Sequence, residues 1–196
     1  SLRPRGTFLQ GRESTYRDFF ATTTAGMERI LAREVSKQES GSQDIRDVRE
    51  GKCGVHFKGT VKGGLKILLH SRTALKLMEA VVERTGVQNR NDLHAVVSEV
   101  DWLSHLDSRM TIKCDTTIGV CQDRDLRHTH FSSLTVKNAV VDQFRDAGIA
   151  RPSVDTENPD MILHTYLHRG KCTLYKVWSG EDSMHKRGYR DTVHRA

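Results

Sequence analysis

The stretch Ser132-Ser133-Leu134-Thr135-Val136-Lys137-Asn138-Ala139-Val140-Val141-Asp142-Gln143-Phe144-Arg145-Asp146-Ala147-Gly148 decides how the second half of the chain is read. Val136, Val140, Phe144 and Ala147 recur at four- and three-residue steps, with Ala139 and Gln143 flanking the same stripe. That is the spacing of an amphipathic helix, here of about four turns. Ser132 or Ser133 can cap its start, and Gly148 can take the left-handed conformation that ends it. Arg124, Arg127, His128 and His130 lie just ahead, where free N–H groups and the helix dipole favour an anion. Downstream, Arg151-Pro152 leads into two strand-like runs, Met161 to Leu167 and Cys172 to Trp178, joined by His168-Arg169-Gly170-Lys171. One helix, one hairpin and a basic approach fit an α/β module that binds nucleic acid.

The first half has a different order. Phe19 to Thr24 is aromatic and β-branched and reads as a buried strand. A helix follows from Gly26 to about Ser36, with Met27, Ile30, Leu31 and Val35 on its stripe. Ile45 to Val48 and Cys53 to Lys58 are predicted strands around a hairpin turn at Glu50-Gly51-Lys52. Val61, Leu65, Leu68 and Leu69 mark a second helix, its start weakened by Gly63-Gly64, and Leu75 to Glu83 a fourth strand. The order β-α-β-β-α-β is the ferredoxin-like arrangement, with both helices expected on one face of a four-stranded antiparallel sheet. Thr85 to Asp92 is polar and turn-rich and marks a domain junction. Beyond it, Leu93 to Val100 is predicted helical, Asp101 to Ser108 a short helical or looped piece, Met110 to Val120 a strand and Gln122 to Thr129 a polar loop. The fold class is therefore α+β, a ferredoxin-like domain followed by an α/β domain.

At 196 residues, 36% hydrophobic and 29% charged, the composition suits a globular chain of one large or two small domains. No apolar run approaches the roughly 20 residues of a membrane helix, so no membrane partner is expected. Residues 1–17 lack the apolar block of a secretory signal; Arg-rich and nearly acid-free, they also fit a trimmed organellar transit segment. Cys53, Cys114, Cys121 and Cys172 form no C-x-x-C pair, which points to reduced thiols in an intracellular protein. The expected location is the cytoplasm, or an organelle such as a plastid in a eukaryote. The net charge of +6 sits at the ends. Residues 1–17 carry Arg3, Arg5, Arg12 and Arg17 against Glu13, and residues 185–196 carry Lys186, Arg187, Arg190 and Arg195 against Asp191, leaving the middle neutral. Basic ends on a neutral body can grip phosphates, or simply be solvated.

Chemistry-bearing motifs are scarce. His164 and His168 sit four apart on a predicted strand, about 13 Å from each other and too far for one ion. Asn158-Pro159-Asp160-Met161 lacks the second proline and the aromatic of an amino-methyltransferase loop and precedes a strand, so it reads as a turn entry. No Gly-rich nucleotide loop and no catalytic triad or carboxylate pair stands out, so no catalytic residue, metal site or cofactor is assigned to this chain.

Several stretches together resemble the N-terminal half of THUMP-domain RNA methyltransferases, in particular those similar to the bacterial large-subunit ribosomal RNA guanine-N2 enzyme. They are Phe19 to Glu28, Ser71-Arg72-Thr73-Ala74, Val136 to Asp142, Arg151-Pro152-x-Val154-Asp155, Pro159-Asp160, Ser179-Gly180 and His185-Lys186-Arg187-Gly188-Tyr189-Arg190. The resemblance implies a basic extension over 1–17, a ferredoxin-like domain over 18–88, a THUMP domain over 89–180 and a basic linker over 181–196. It also implies a methyltransferase domain in cis beyond Ala196, which would use S-adenosylmethionine, while this chain alone would be inactive. The expected partner is RNA, ribosomal ahead of transfer RNA. Its phosphates would meet Arg124, Arg127 and Lys137 with Lys186, Arg187 and Arg190, while His128 and Tyr189 would stack on bases. A stand-alone RNA-binding or protein-interaction module is the competing expectation.

Overall fold

The computed structural model describes residues 16–39, 43–121 and 125–186. In chain order these form β1 (Arg17–Thr22), α1 (Glu28–Glu39), β2 (Ile45–Gly51), β3 (Gly54–Gly59), α2 (Val61–His70), β4 (Lys76–Thr85), α3 (Arg90–Ser98), α4 (Trp102–His105), β5 (Thr111–Ile118), α5 (Thr129–Asp146), β6 (Ser153–Val154), β7 (Met161–His168) and β8 (Lys171–Val177), with 3-10 turns at Asp125–Arg127 and Met184–Lys186. The described residues up to Leu77, with Met184–Lys186, make one compact unit, and residues 78–183 make another.

In the first unit β3 lies between β2 and β1, antiparallel to both. Phe19 and Ala21 alternate inward along β1, and Phe19 stacks on Phe57 of β3 at 5.3 Å. The end of β1 guides the chain into β4: the Leu75 N–H donates to the Thr22 carbonyl at 2.8 Å and the Lys76 N–H to the Thr22 hydroxyl at 3.0 Å. The element order is the ferredoxin-like one expected.

Two helical stripes differ from the expectation. On α1, Leu31 and Val35 are buried, but Ile30 is 45% exposed. On α2 the buried residues are Gly63, Gly64 and Ile67, while Leu65 and Leu69 are 46% and 68% exposed. The reason is backbone proximity. A Cβ at Gly63 would run into the Asp44 carbonyl, so this glycine lets α2 press onto the chain entering β2. Thr60 caps the helix by accepting the Gly63 N–H at 3.1 Å, and its own N–H donates to the Asp44 carbonyl at 2.8 Å. Once the glycine face is inward, the 3.6-residue period turns Leu65 and Leu69 outward.

Glu34 of α1 fastens the loop after α2. Its carboxylate accepts the hydroxyls of Ser71 and Thr73, at 2.9 and 2.7 Å, and the backbone N–H groups of Arg72 and Thr73. Partial burial alone would raise its pKa. The donors from Thr73, Ser71 and Arg72 together outweigh that and hold the carboxyl below its usual range.

In the second unit the strand order is β4-β8-β7-β5-β6, with β5 parallel to β7 and to β6 and the other pairs antiparallel. A parallel pair needs a long crossover, and α5 with β6 supplies it. α5 packs on β5 and α3. Val136, Ala139, Val140 and Phe144 are buried in one core with Leu93, Val97, Trp102, Ile112, Leu163 and Leu174. Gln143 locks this arrangement: its amide N–H groups donate to the carbonyls of Ser98 and Val100, and its oxygen accepts the Trp102 N–H at 3.0 Å. The β7–β8 hairpin closes through Arg169 and Gly170, at φ 50° and 72°, a pairing of left-handed residues that matches strand twist.

α5 begins earlier than its apolar stripe indicated. His128 is its N-cap, without a side-chain cap hydrogen bond, and Ser132 lies inside the helix, fully buried, its hydroxyl donating to the Leu126 carbonyl. Neither Ser132 nor Ser133 caps it. Ala147 is exposed beyond the last turn, whereas Gly148, at φ 67°, ends the helix as expected. The two-residue β6 had no sequence signal.

Two outcomes test this account. Phe144→Ala should cost about 3–5 kcal/mol in a urea melt followed by Trp102 fluorescence, against a domain total of roughly 5–15. A loss under about 1 kcal/mol would show that the stripe does not face a core. For Glu34, a depressed folded pKa means that its contribution is fully present above the usual carboxyl range and fades as pH falls through the depressed value. Glu34→Gln should therefore speed hydrogen exchange at the Arg72 and Thr73 amides at neutral pH and remove its acid dependence. Unchanged exchange would remove the anchor role.

Candidate nucleic-acid interface

The carboxyl ends of the parallel strands β5 and β7 and the start of α5 lie at the same end of the second unit, since Thr116 near the end of β5 meets Ser133 in the second turn of α5. In open α/β sheets this is where ligands gather. Two backbone links and one to a side chain fix the segment after β5 to the hairpin: Gly119 N–H to the Leu167 carbonyl at 2.8 Å, Arg169 N–H to the Val120 carbonyl at 2.7 Å, and Val120 N–H to His168 Nδ1 at 3.1 Å. Tyr166, 38% exposed, stacks on His168 with centroids 6.0 Å apart. Arg169 stands exposed at the turn.

At the start of α5 the 3-10 turn Asp125–Arg127 is held by Leu126, which is 1% exposed. Arg127 is exposed, and its Nε donates to the Cys121 carbonyl at 3.2 Å. Phe131 follows on the first turn, 48% exposed and flanked edge-on by His128 at 5.8 Å and His130 at 5.9 Å. No acidic residue occupies this first turn. An exposed aromatic between imidazoles, with Arg127 on the turn just ahead and no acidic residue in the first turn of the helix, offers a stacking surface and a phosphate donor together.

The expected site residues distribute unevenly over the structure. Arg127 and His128 stand together at this helix start. Lys137 is half-buried on α5, about 12 Å along the axis from Thr129. It lies on the β5 side, next in line to Ser133, whose hydroxyl meets Thr116 at 2.9 Å. Burial pushes the Cys114 thiol up to about 12, Asp115 adds to this, and the Lys137 charge acts against it. Lys186 is exposed on the turn Met184–Lys186, tied by Met184 N–H to the Leu75 carbonyl, and belongs to the first unit. Arg124, Arg187, Tyr189 and Arg190 lie outside the described residues. Phe131, Tyr166, His168 and Arg169 were missed. A phenylalanine within His128-x-His130-Phe131, ahead of the assumed helix start, was the available signal.

This geometry, a ferredoxin-like unit followed by an α/β unit with a basic, aromatic helix start, defines a tandem of two α+β domains. Residues 87–177 match the THUMP domain and residues 18–78 the RlmL ferredoxin-like domain, so the chain carries these two domains one after the other. It is 34% identical over 172 residues to a "Ribosomal RNA large subunit methyltransferase K/L" of Syntrophotalea carbinolica, covering 88% of this chain and 23% of that protein. It is 33% identical over 175 residues to the protein of the same description from Hydrogenovibrio crunogenus, covering 89% of this chain and 22% of that one. The chain thus spans less than a quarter of the length of these relatives. Among solved structures, a "predicted N6-adenine-specific DNA methylase" from Listeria monocytogenes shares the fold, with a TM-score of 0.75 at 19% identity over 92% of this chain and 45% of the other.

Proposed function

We propose that this chain is the RNA-gripping part of a ribosomal RNA methyltransferase. It holds structured RNA for a guanine-N2 catalytic domain elsewhere in the protein, and S-adenosylmethionine binds that domain rather than this chain. The observation that carries this reading is Phe131, an exposed ring set between His128 and His130 with Arg127 beside it, in a THUMP domain whose relatives are described as ribosomal RNA methyltransferases. RNA is read largely through unpaired bases stacked on aromatic rings, with phosphates held by arginine and lysine. The basic segments at both ends of the sequence add a longer-range field.

Binding of a ribosomal RNA stem-loop by fluorescence anisotropy is the test. About four neutralised phosphates give a log–log salt slope near −3 for single strands. Arg127→Glu with Arg169→Glu should weaken binding and flatten that slope, whereas Phe131→Ala should weaken it about tenfold with the slope unchanged, since a stacked base is worth about 1–3 kcal/mol. Charge reversal at Arg29 and Arg33 on α1 should do much less. Equal losses from both pairs would mean diffuse electrostatics and no site here, and a transfer RNA that outcompetes the ribosomal stem-loop would overturn the ribosomal assignment.

A further inference from the structure

Between the start of α3 and the first half of α5, within the second unit, lies a polar cavity of about 350 Å³ lined by Asn89, Arg90, Asn91, His94, Thr135 and Asn138. It sits at the small end of the range of roughly 300–1,000 Å³ for small-molecule pockets, and its lining carries no carboxylate.

The walls are built by hydrogen bonds. Thr135, only 4% exposed, forms part of the α5 wall; its hydroxyl donates to the Phe131 carbonyl at 2.9 Å and accepts Arg90 Nε at 3.3 Å. Beyond it on α5, His94 Nε2 meets Asp142 at 3.1 Å, and Asp142 also holds Arg145 at 3.0 Å. The start of α3 is already closed by its own capping box. Asn89 accepts the N–H groups of Asn91 and Asp92, and Asp92 accepts those of Gln88 and Asn89. The cavity is therefore no bare helix terminus. It offers the amides of Asn91 and Asn138 and one guanidinium.

We propose that this cavity takes a single unpaired RNA nucleotide, its base edge read by Asn91 and Asn138 and its phosphate met by Arg90. Three properties select that ligand. Asparagine amides pair both as donor and as acceptor with a base edge, best with N6 and N7 of adenine. The one cation matches one phosphate. Phe131, Thr135 and Asn138 follow one another at four- and three-residue spacing on α5, so the exposed ring stands at the head of the same helical face, where the neighbouring base can stack. The cavity would thus fix the register of a strand that the arginines only attract. This rests on the RNA-binding reading above.

The test uses the whole chain with two probes, a ribosomal RNA stem-loop and single-stranded hexaadenylate, read by anisotropy at several salt concentrations. Asn91→Ala with Asn138→Ala should lower hexaadenylate affinity about tenfold at unchanged salt slope and unchanged near-UV circular dichroism. Adenosine monophosphate should shift the side-chain amide signals of Asn91 and Asn138 in the NMR spectrum of the parent chain. Parent-like affinity of the double variant, or no shift at those amides, would overturn the cavity assignment and leave the RNA-binding reading standing. Failure of the parent chain to bind either RNA would overturn both.

Discussion

Two parallel neighbouring strands cannot be joined by a tight turn, and the second unit is arranged around that constraint. β5 and β7 run side by side, so the chain must travel back across the sheet between them, and α5 is the segment that does so. Its apolar stripe has to face β5, where the Thr116 hydroxyl meets that of Ser133 and Ile112 lies in one core with Val136, Val140 and Phe144. With the stripe inward, the start of α5 is delivered to the carboxyl end of β5. The neighbouring hairpin turn is bonded to the segment between them. The aromatic and cationic groups of the interface converge because of this geometry, without any requirement that they be near in sequence.

The first unit solves its closure with a charge. Four groups from the Ser71–Thr73 loop converge on one carboxylate of α1, and this anchors the passage from α2 to β4. An apolar residue at position 34 could fill the space but would withdraw the shared acceptor from those N–H and hydroxyl donors and free the loop from α1. The same logic explains Asp160, which accepts both the N–H and the hydroxyl of Thr111 and sets where β5 begins. Several of the residues that carry the family resemblance, Ser71 to Thr73 and Asp160 among them, thus hold loops in place.

Element order was legible in the sequence because it depends on hydrophobic period, which local composition writes plainly in Phe19 to Thr22, Val136 to Phe144 and Met161 to Leu167. Helix faces were less legible where backbone contact outranks side-chain hydrophobicity. Gly63 and Gly64 look like helix breakers but are the buried face of α2, and that choice exposes Leu65 and Leu69. The α5 start was misplaced by an equally physical cause. Ser132 has the chemistry of a cap, yet it is spent inside the helix on the Leu126 carbonyl, while His128 sits at the cap position. That shift of one turn left Phe131 outside the assumed helix and hid the exposed ring. Tyr166 and His168 could not be assigned to a surface from strand alternation alone, since it takes the folded hairpin to bring His168 and Arg169 onto Val120 of the segment after β5.

Electrostatics decides what kind of recognition this body can perform. Its interior segment, residues 18–184, carries equal numbers of acidic and basic groups, so no broad field surrounds it. Many of the cations are also already answered by nearby acids, as Lys66 is by Asp44, Lys113 by Glu181 and Lys171 by Glu83. A neutral surface screened over about 8 Å at physiological salt cannot hold a polyanion by charge alone. In the proposed RNA-binding role, affinity would then come from contacts that survive screening, namely stacking on Phe131 and hydrogen bonds in the cavity between α3 and α5, with Arg127 and Arg169 supplying short-range phosphate contacts. Under that proposal the protein would discriminate unpaired RNA from duplex by shape, because only splayed bases can reach a ring or enter a pocket.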